Sequence, residues 1–219
     1  MSGVKEIDTG QIRQLIIAGW TGRNQDAVEA HIRELEAIGV KRPKTTPIFY
    51  RVSAALLTTQ DTIDVLGENS SGEVECVLHA IDGDIFVGVG SDHTDRKAET
   101  AGVSLSKQMC AKPVSPQAWR LADVAPHWDK LMLRSFVRIN GERRLYQEGS
   151  VATMRPPEEL CRLWSGDSAL PQHASMFCGT LAVHGGIVSA DRFEMELEDP
   201  VLNRKITHAY RVQTLPDEG

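Results

Sequence analysis

Short segments of continuous or alternating apolar residues dominate the chain from position 48 onward. Segments of this length, rich in Val, Ile, Phe and Tyr, are typical of β-strands. Asp82-Gly83 and Asn140-Gly141 each lie between two such segments, and these dipeptides are strong signals for tight hairpin turns. We therefore predict two hairpins within a strand-rich fold. The eight predicted strands are 48–52, 73–80, 85–89, 131–139, 143–147, 176–181, 192–198 and 205–212.

Helical periodicity is confined to a few segments. Residues 26–38 form the clearest predicted helix, with Gly39 placed to end it in a left-handed conformation. Further helices are predicted at 96–107 and 157–164. Because helices do not alternate regularly with strands, a doubly wound parallel sheet is not expected. The predicted fold class is α+β, β-rich, with few helices.

Composition narrows the possible roles of the protein. The 219 residues carry a net charge of −6, which argues against a general nucleic-acid binder. The apolar run at 15–20 is too short to span a bilayer, and the first residues lack the pattern of a secretory signal. We therefore expect a cytoplasmic protein that does not bind membranes. Without repeats or low-complexity segments, we expect one domain over 1–219, with a helical N-terminal lead at 1–45.

Three acidic residues form the most informative candidate site. Glu73 and Glu75 point to one face of a strand, because side chains alternate across a strand with a period of two. If the Asp82-Gly83 turn closes a hairpin, the returning strand delivers Asp92 to the same end. Three carboxylates at a strand end suit a hard divalent cation. A Glu-x-Glu pair alone is more often part of a solvated strand face, and that alternative stays open.

Other candidate residues have strong structural explanations. His31 and Glu34 lie three residues apart on the first helix, where the carboxylate can orient the imidazole as a general base. A lone His on such a helix is also commonly a half-buried packing residue. Lys107 ends a predicted helix, where the helix dipole favours a cation. Gly179 and Thr180 offer close ligand approach and a hydroxyl, but a turn explains them equally well.

In chain order, these features resemble the fumarylacetoacetate hydrolase superfamily, specifically its small bacterial members, including a DUF2848-type subfamily. The segment 28–34 resembles the early segment that carries the superfamily's catalytic His and Glu, although its usual Asn-Tyr before the His is absent. Pro47-Ile48-Phe49-Tyr50-Arg51 resembles the strand that follows it. The Glu-x-Glu metal pair falls on Glu73 and Glu75, and the third metal ligand falls on Asp92.

The resemblance continues through the second half of the chain. The active-site Lys of the superfamily matches Lys107, ahead of a proline-rich turn at 112–116. Segments 140–142 and 147–150 resemble its Asn-Gly-Glu hairpin and the Gln-x-Gly segment after it. Segment 178–181 resembles its Thr-Gly-Thr-Pro loop, with Leu in place of the proline, and 192–196 resembles its last acidic strand pair.

The resemblance implies a mixed β-sandwich roll, a homodimer, and a small-molecule 2-oxo acid substrate. It implies Mg²⁺ or Mn²⁺, with Ca²⁺ possible, chelated by the carboxylate and 2-oxo oxygens of the substrate. The implied reaction is hydrolysis of a carbon–carbon bond in an acylpyruvate-like 2,4-dioxo acid through an enolate on the metal. The implied roles are catalysis by His31, Glu34 and Lys107, substrate binding by Arg96, Gly179 and Thr180, and metal binding by Glu73, Glu75 and Asp92.

Two alternatives to this reaction stay open at the level of sequence. The same chelate would support a decarboxylase, hydratase or isomerase of a related 2-oxo acid without an activated water. A relative that binds metal or ligand without catalysis would carry the same ligands and turn over no dioxo acid.

Overall fold

The computed structural model describes residues 3–37, 42–167 and 169–218. The side chains of His31, Glu34, Leu35 and Ala37 lie outside the described part, as do Ile38 and Gly39 at the predicted end of the first helix. Strands hold 45% and helices 23% of the chain, which confirms the β-rich α+β prediction. No helix within the described ranges is long and apolar enough to cross a membrane.

The regular elements are mostly strands. The five α-helices within the described ranges are α1 (Gln25–Ala37), α2 (Arg96–Glu99), α3 (Val103–Met109), α4 (Leu121–Val124) and α5 (Pro157–Ser165), and the other helical residues belong to four short 3₁₀-helices. The strands of the first half are β1 (Val4–Glu6), β2 (Gln14–Gly19), β3 (Ile48–Val52), β4 (Leu57–Thr58), β5 (Thr62–Leu66), β6 (Ser70–Ser71), β7 (Val74–Ile81), β8 (Asp84–Ser91) and β9 (Thr94–Asp95). Those of the second half are β10 (Lys112–Pro113), β11 (Gln117–Arg120), β12 (Met132–Ile139), β13 (Glu142–Ser150), β14 (Ala174–Thr180), β15 (Arg192–Asp199) and β16 (Arg204–Leu215).

Two large mixed sheets share one hydrophobic core. The seven-stranded sheet has the order β1-β11-β8-β7-β14-β2-β3, and only β14 and β2 run parallel within it among the described strands. The five-stranded sheet has the order β13-β12-β15-β16-β5, with β16 and β5 parallel. Buried residues of both sheets belong to a single core cluster, as expected for two packed layers. Two short pairs, β10 with β4 and β6 with β9, lie outside these sheets.

Both predicted hairpins are present. Asp82 and Gly83 have φ of 53° and 80° between β7 and β8, and Asn140 and Gly141 have φ of 52° and 82° between β12 and β13. Two successive positive φ values are the signature of the turn that matches the twist of paired strands. The first hairpin fixes the register that positions the candidate site.

Strand β7 is buried on both faces. Val74, Cys76 and Leu78 belong to the core between the two sheets, whereas Val77 and Ile81 belong to a second cluster on the opposite face. The odd-numbered positions therefore face the second cluster, and Glu75 shares that face by the two-residue period.

The structure differs from the sequence prediction in several elements. The predicted helix 96–107 is two helices, because the chain leaves helical geometry at Gly102, whose φ is 163°. Helix α4 was not predicted, and neither were eight of the described strands: β1, β2, β4, β5, β6, β9, β10 and β11. Of these, β2 and β5 each pair in parallel with a strand distant in sequence. Helix α5 matches its prediction and ends at Ser165, followed by Gly166, whose φ of 79° is the left-handed cap conformation.

Candidate metal centre

Three carboxylates converge where β7 begins and β8 ends. Glu73 immediately precedes β7, and Asp92 immediately follows β8. The hairpin register pairs Val74 with Ser91, and the Asp92 amide donates to the Glu73 carbonyl at 3.0 Å. One oxygen from each of Glu73, Glu75 and Asp92 lies within 4.8 Å of the others. The structure therefore brings together the three residues that the sequence placed at one strand end.

This cluster is not part of a solvated strand face. Glu75 is 2% exposed, Asp92 is fully buried, and the Glu73 side chain is 19% exposed. Burying an ionised carboxylate is costly unless a cation or several hydrogen bonds compensate it. The cations and hydrogen bonds around each carboxylate therefore decide what the cluster can bind.

Glu75 is the poorly compensated member of the cluster. Its Oε2 accepts a hydrogen bond from the Gly179 amide at 2.6 Å, and no ion pair to Glu75 occurs within the described ranges. Burial raises the pKa of Glu75 well above its usual value, and the charges of Asp92 and Glu73 raise this pKa further. A bound cation would remove this penalty by allowing the carboxylate to stay ionised.

Asp92 lies between two buried lysines. Lys107 Nζ donates to Asp92 Oδ2, and Lys112 Nζ lies 3.2 Å from Oδ1. Burial alone would raise the pKa of Asp92, but the two ammonium groups outweigh it and lower this pKa. Burial would lower the pKa of Lys107, but Asp92 and Glu73 outweigh it and raise this pKa. Lys107 therefore stays an ammonium and can supply positive charge, not a general base.

Arg96, predicted to bind substrate, holds Glu73 instead in this conformation. Its guanidinium donates to Glu73 Oε1 at 2.9 Å, to Ser71 Oγ at 2.7 Å and to Glu99 Oε2 at 3.3 Å. Burial would lower the pKa of Arg96, but Glu73 and Glu99 outweigh it and raise this pKa. Arg96 thus orients one carboxylate of the cluster, and its contact with substrate stays a prediction.

Gly179 positions Glu75 through its backbone. Its φ is 101°, a region that favours glycine, and a Cβ at this position would lie 1.8 Å from Thr21 Oγ1. This close approach allows the Gly179 amide to reach Glu75. The Thr180 hydroxyl donates to the Val74 carbonyl at 2.8 Å, so its proton is already used. Binding of substrate by Thr180 stays a prediction and requires that bond to open.

Gln147 was quoted in the sequence resemblance but was given no role there. It is fully buried, and its Oε1 accepts from the Val74 amide at 3.0 Å and from Ser135 Oγ at 2.9 Å. Its Nε2 donates to Thr180 Oγ1 at 2.8 Å and to the Leu181 carbonyl at 2.7 Å. The Gln147 side chain therefore connects the five-stranded sheet to the backbone of Val74, the residue between Glu73 and Glu75.

His93 is a buried packing histidine behind Asp92. The Tyr210 hydroxyl donates to Ser91 Oγ at 2.8 Å, so it accepts from His93 Nδ1 at 2.9 Å. His93 Nε2 then accepts from Ser70 Oγ at 2.9 Å. Burial lowers the pKa of His93 to about 3, with the charges of Lys112 and Arg96 adding to the effect. This imidazole therefore stays neutral and fixes the loop that carries Asp92.

An aromatic residue beside Lys107 also lacked a predicted role. The ring centroid of Tyr50 lies 5.8 Å from Lys107 Nζ, within reach of a cation–π contact. Burial raises the pKa of Tyr50, which also makes a hydrogen bond with Trp20. Trp20 has a φ of 58°, a conformation that non-glycine residues rarely adopt and that is common at functional sites.

The predicted His31–Glu34 pair lies on α1, and both side chains are outside the described part of the chain. Its proximity to the carboxylate cluster therefore stays a prediction.

The donor set favours a hard divalent cation. All three candidate ligands are carboxylates, and oxygen-only sites suit Mg²⁺, Mn²⁺ or Ca²⁺ rather than softer metals. Asp92 Oδ1 accepts no hydrogen bond of good geometry from the described residues despite its full burial. The residues present therefore fit such an ion in charge, in chemistry and in one buried oxygen that lacks a hydrogen bond.

Comparison with known proteins identifies the family of the chain and solved structures with the same fold. A family model described as "Protein of unknown function (DUF2848)" matches residues 18–210. A curated protein with significantly similar sequence was not found.

The solved structures that are similar to the chain include three whose family or bound ligand is known. The first is 2-keto-3-deoxy-D-arabinonate dehydratase complexed with magnesium and 2,5-dioxopentanoate, at TM-score 0.65 and 15% identity, covering 94% of this chain and 75% of that chain. A yeast fumarylacetoacetate hydrolase family protein has TM-score 0.65 and 17% identity, covering 96% of each chain. A Yersinia pestis fumarylacetoacetate hydrolase family protein has TM-score 0.62 and 15% identity, covering 92% of this chain and 93% of that chain. The TM-scores establish a shared fold, and identities this low establish nothing beyond the fold.

Proposed function

The chain belongs to the DUF2848 family and has the fold of fumarylacetoacetate hydrolase family proteins, and from that premise we propose that it is a divalent-metal-dependent hydrolase. Its proposed substrate is an acylpyruvate-like 2,4-dioxo acid, cleaved at the bond between C3 and C4. The proposed ligands of the metal are Glu73, Glu75 and Asp92.

The observation that carries this proposal is the pairing of a carboxylate cluster with a buried lysine. Glu75 is buried without a direct ion pair among the described residues, which raises its pKa, and the donor set suits Mg²⁺ or Mn²⁺. Lys107 adds a fixed positive charge to the same cluster, 3.9 Å from Glu73 Oε2. Positive charge fixed in a buried site stabilises negative charge that develops during a reaction.

The proposed residues divide the reaction between them. A bound Mg²⁺ or Mn²⁺ would act as a Lewis acid on the carboxylate and 2-oxo oxygens of the substrate. Lys107 stabilises the enolate charge that develops as the C3–C4 bond breaks. His31, oriented by Glu34, takes a proton from the water that attacks the C4 carbonyl. The water oxygen leaves in the released carboxylic acid, while C3 retains the electron pair and takes a proton to give pyruvate.

A dehydratase of a related 2-oxo acid is the second candidate. Two observations favour it: a structural neighbour is a dehydratase solved with magnesium and 2,5-dioxopentanoate, and this sequence lacks the Asn-Tyr expected before His31. Both candidates require the same metal cluster and the same stabilised enolate. They differ in whether an activated water attacks carbon.

Product analysis with isotopically labelled water separates these two reactions. A hydrolase converts acylpyruvate and ¹⁸O-labelled water into pyruvate and a labelled carboxylic acid, whereas a dehydratase releases water from a hydroxylated 2-oxo acid and cleaves no carbon–carbon bond. His31→Ala is expected to abolish hydrolysis and to leave any decarboxylation of oxaloacetate, since decarboxylation needs only the metal cluster.

Calorimetry with Mg²⁺ tests the metal ligands directly. Glu73→Gln and Asp92→Asn are each expected to abolish binding while the fold is retained, and Asp64→Asn, on the exposed side of β5, is the matched control. Unchanged Mg²⁺ affinity in both ligand variants would contradict the proposal. Tight Mg²⁺ binding without turnover of any dioxo acid would identify a non-catalytic relative.

A further inference from the structure

Lys112 is a second buried lysine of the cluster, and the proposed reaction gives it no role. Its side chain is fully buried on β10. Its Nζ donates to the His93 carbonyl at 2.5 Å and lies 3.2 Å from Asp92 Oδ1. Both neighbours accept hydrogen bonds, and the nearby Asp92 carboxylate favours the charged form of this lysine. Burying an ammonium is costly, which makes a merely incidental lysine here unfavourable.

Lys112 and Lys107 contact different oxygens of the same carboxylate. Lys107 Nζ contacts Asp92 Oδ2 and lies 3.9 Å from Glu73 Oε2. Lys112 contacts Oδ1 from a position that no solvent reaches. Lys112 therefore cannot touch a ligand and can act only through Asp92.

Lys112 is one of three cations around the cluster. Arg96, Lys107 and Lys112 each lie within 4 Å of one of its carboxylates, and Arg96 also contacts Glu99. Removal of the Lys112 charge would therefore make the cluster more attractive to a cation and less attractive to an anion.

We propose that Lys112 is a positioning and specificity-determining residue, which holds the Asp92 carboxylate in the cluster and fits the metal-loaded site to negatively charged chelating ligands. This inference rests on the proposed function, since the enolate of a 2-oxo acid carries one charge on its carboxylate and a second on its enolate oxygen. Lys112 thereby weakens metal binding and strengthens binding of the charged ligand.

The test is calorimetry on Lys112→Met, which retains the length of the side chain and removes its charge. Mg²⁺ affinity of the metal-free protein is expected to rise about tenfold, and oxalate affinity of the Mg²⁺-loaded protein to fall about tenfold, since removal of a nearby positive charge favours the cation and disfavours the anion. Damage to the structure would weaken both affinities, so opposite changes identify the proposed role. Equal affinities in wild type and variant, or loss of both, would overturn it.

Lys97→Met is the matched control, because it removes the same charge from a side chain that is 72% exposed. Both affinities are expected to stay within about twofold of wild type, as expected for a screened surface charge. A Lys97→Met effect as large as that of Lys112→Met would overturn the inference.

A comparison of two ligands in the wild type covers the case in which Lys112→Met does not fold. Oxalate and oxamate are nearly isosteric chelators, but oxalate carries two negative charges and oxamate one. Wild-type protein loaded with Mg²⁺ is expected to bind oxalate at least about tenfold more tightly, and equal affinities would contradict the inference. Failure of the wild type to bind Mg²⁺ at all would contradict the proposed function and this inference together.

Discussion

Glu75→Gln should have opposite effects on the metal-free and the metal-loaded protein. Glu75 is 2% exposed and lacks an ion pair within the described ranges, while two other carboxylates have oxygens within 4.8 Å. The substitution is nearly isosteric, and the new amide oxygen can still accept from Gly179. It therefore removes a buried carboxylate that is unfavourable without metal, since its ionised form is repelled by its neighbours and its protonation costs free energy at neutral pH, and it keeps the hydrogen bond.

The size of the effect follows from these distances. Two unit charges 4.8 Å apart repel by about 3.5 kcal/mol at an effective dielectric constant of about 20. Glu75 has two such neighbours, and Lys107 offsets part of the repulsion. We expect Glu75→Gln to stabilise the metal-free protein by about 2 kcal/mol, which corresponds to a rise in Tm of roughly 4–8 °C for a chain of this size.

Metal binding should change in the opposite direction. Mg²⁺ at about 100 times its Kd stabilises a protein by about 2.7 kcal/mol, so the wild type should gain roughly 5–10 °C in Tm. Glu75→Gln, having lost one of three charged ligands, should gain less than about 2 °C at the same concentration. Thermal unfolding with and without Mg²⁺ measures both effects in one experiment.

Glu6→Gln provides the control, because Glu6 lies exposed on β1 of the same sheet. That variant should match the wild type in both conditions. The reasoning would be refuted if Glu75→Gln destabilised the metal-free protein and left the Mg²⁺-dependent rise unchanged.

The remaining predictions concern the support of the cluster, its acid stability and its chemistry. Gly179→Ala should destabilise the protein by at least about 2 kcal/mol and weaken Mg²⁺ binding, because the φ of 101° and the 1.8 Å distance to Thr21 Oγ1 leave no room for a Cβ. Denaturant unfolding measures the first effect and calorimetry the second. Gly102→Ala is the control, since Gly102 lies at an open, extended position, and it should cause neither effect. Burial lowers the pKa of His79 to about 4, so the unfolded chain binds more protons below pH 6.5, and stability should fall by about 3 kcal/mol between pH 7 and pH 4. The double variant His79→Leu/Ser175→Ala removes both partners of the buried hydrogen bond, and its stability should change less between pH 7 and pH 4. An unchanged pH dependence of stability would show that another group causes it. Lys107→Met should retain Mg²⁺ binding and lose about 100-fold in kcat, and loss of folding instead would assign this lysine a structural role.

Local sequence signals predicted the convergence of the carboxylates. Asp82-Gly83 can adopt two successive positive φ values, and that property fixes a two-residue turn between β7 and β8. Once the turn is fixed, strand periodicity places Glu73 and Glu75 on one face and returns Asp92 beside them. The residues of the cluster are thus determined by contacts within a single hairpin.

Residues that support the cluster depend on contacts between distant elements and could not be predicted in this way. Gln147 reaches Val74 from the second sheet, 73 positions along the chain, and Lys112 reaches Asp92 from outside both sheets. No local pattern encodes such pairings. The break at Gly102 was likewise missed, because helical spacing continues across it.

The most direct test of the central claim is a crystal structure of the protein soaked with Mg²⁺ and oxalate, which mimics the enolate of pyruvate. We predict one Mg²⁺ ion with an oxygen from each of Glu73, Glu75 and Asp92 at about 2.0–2.1 Å, and oxalate chelating the same ion. Electron density for oxalate and Mg²⁺ elsewhere, with the three carboxylates free of metal, would contradict the account.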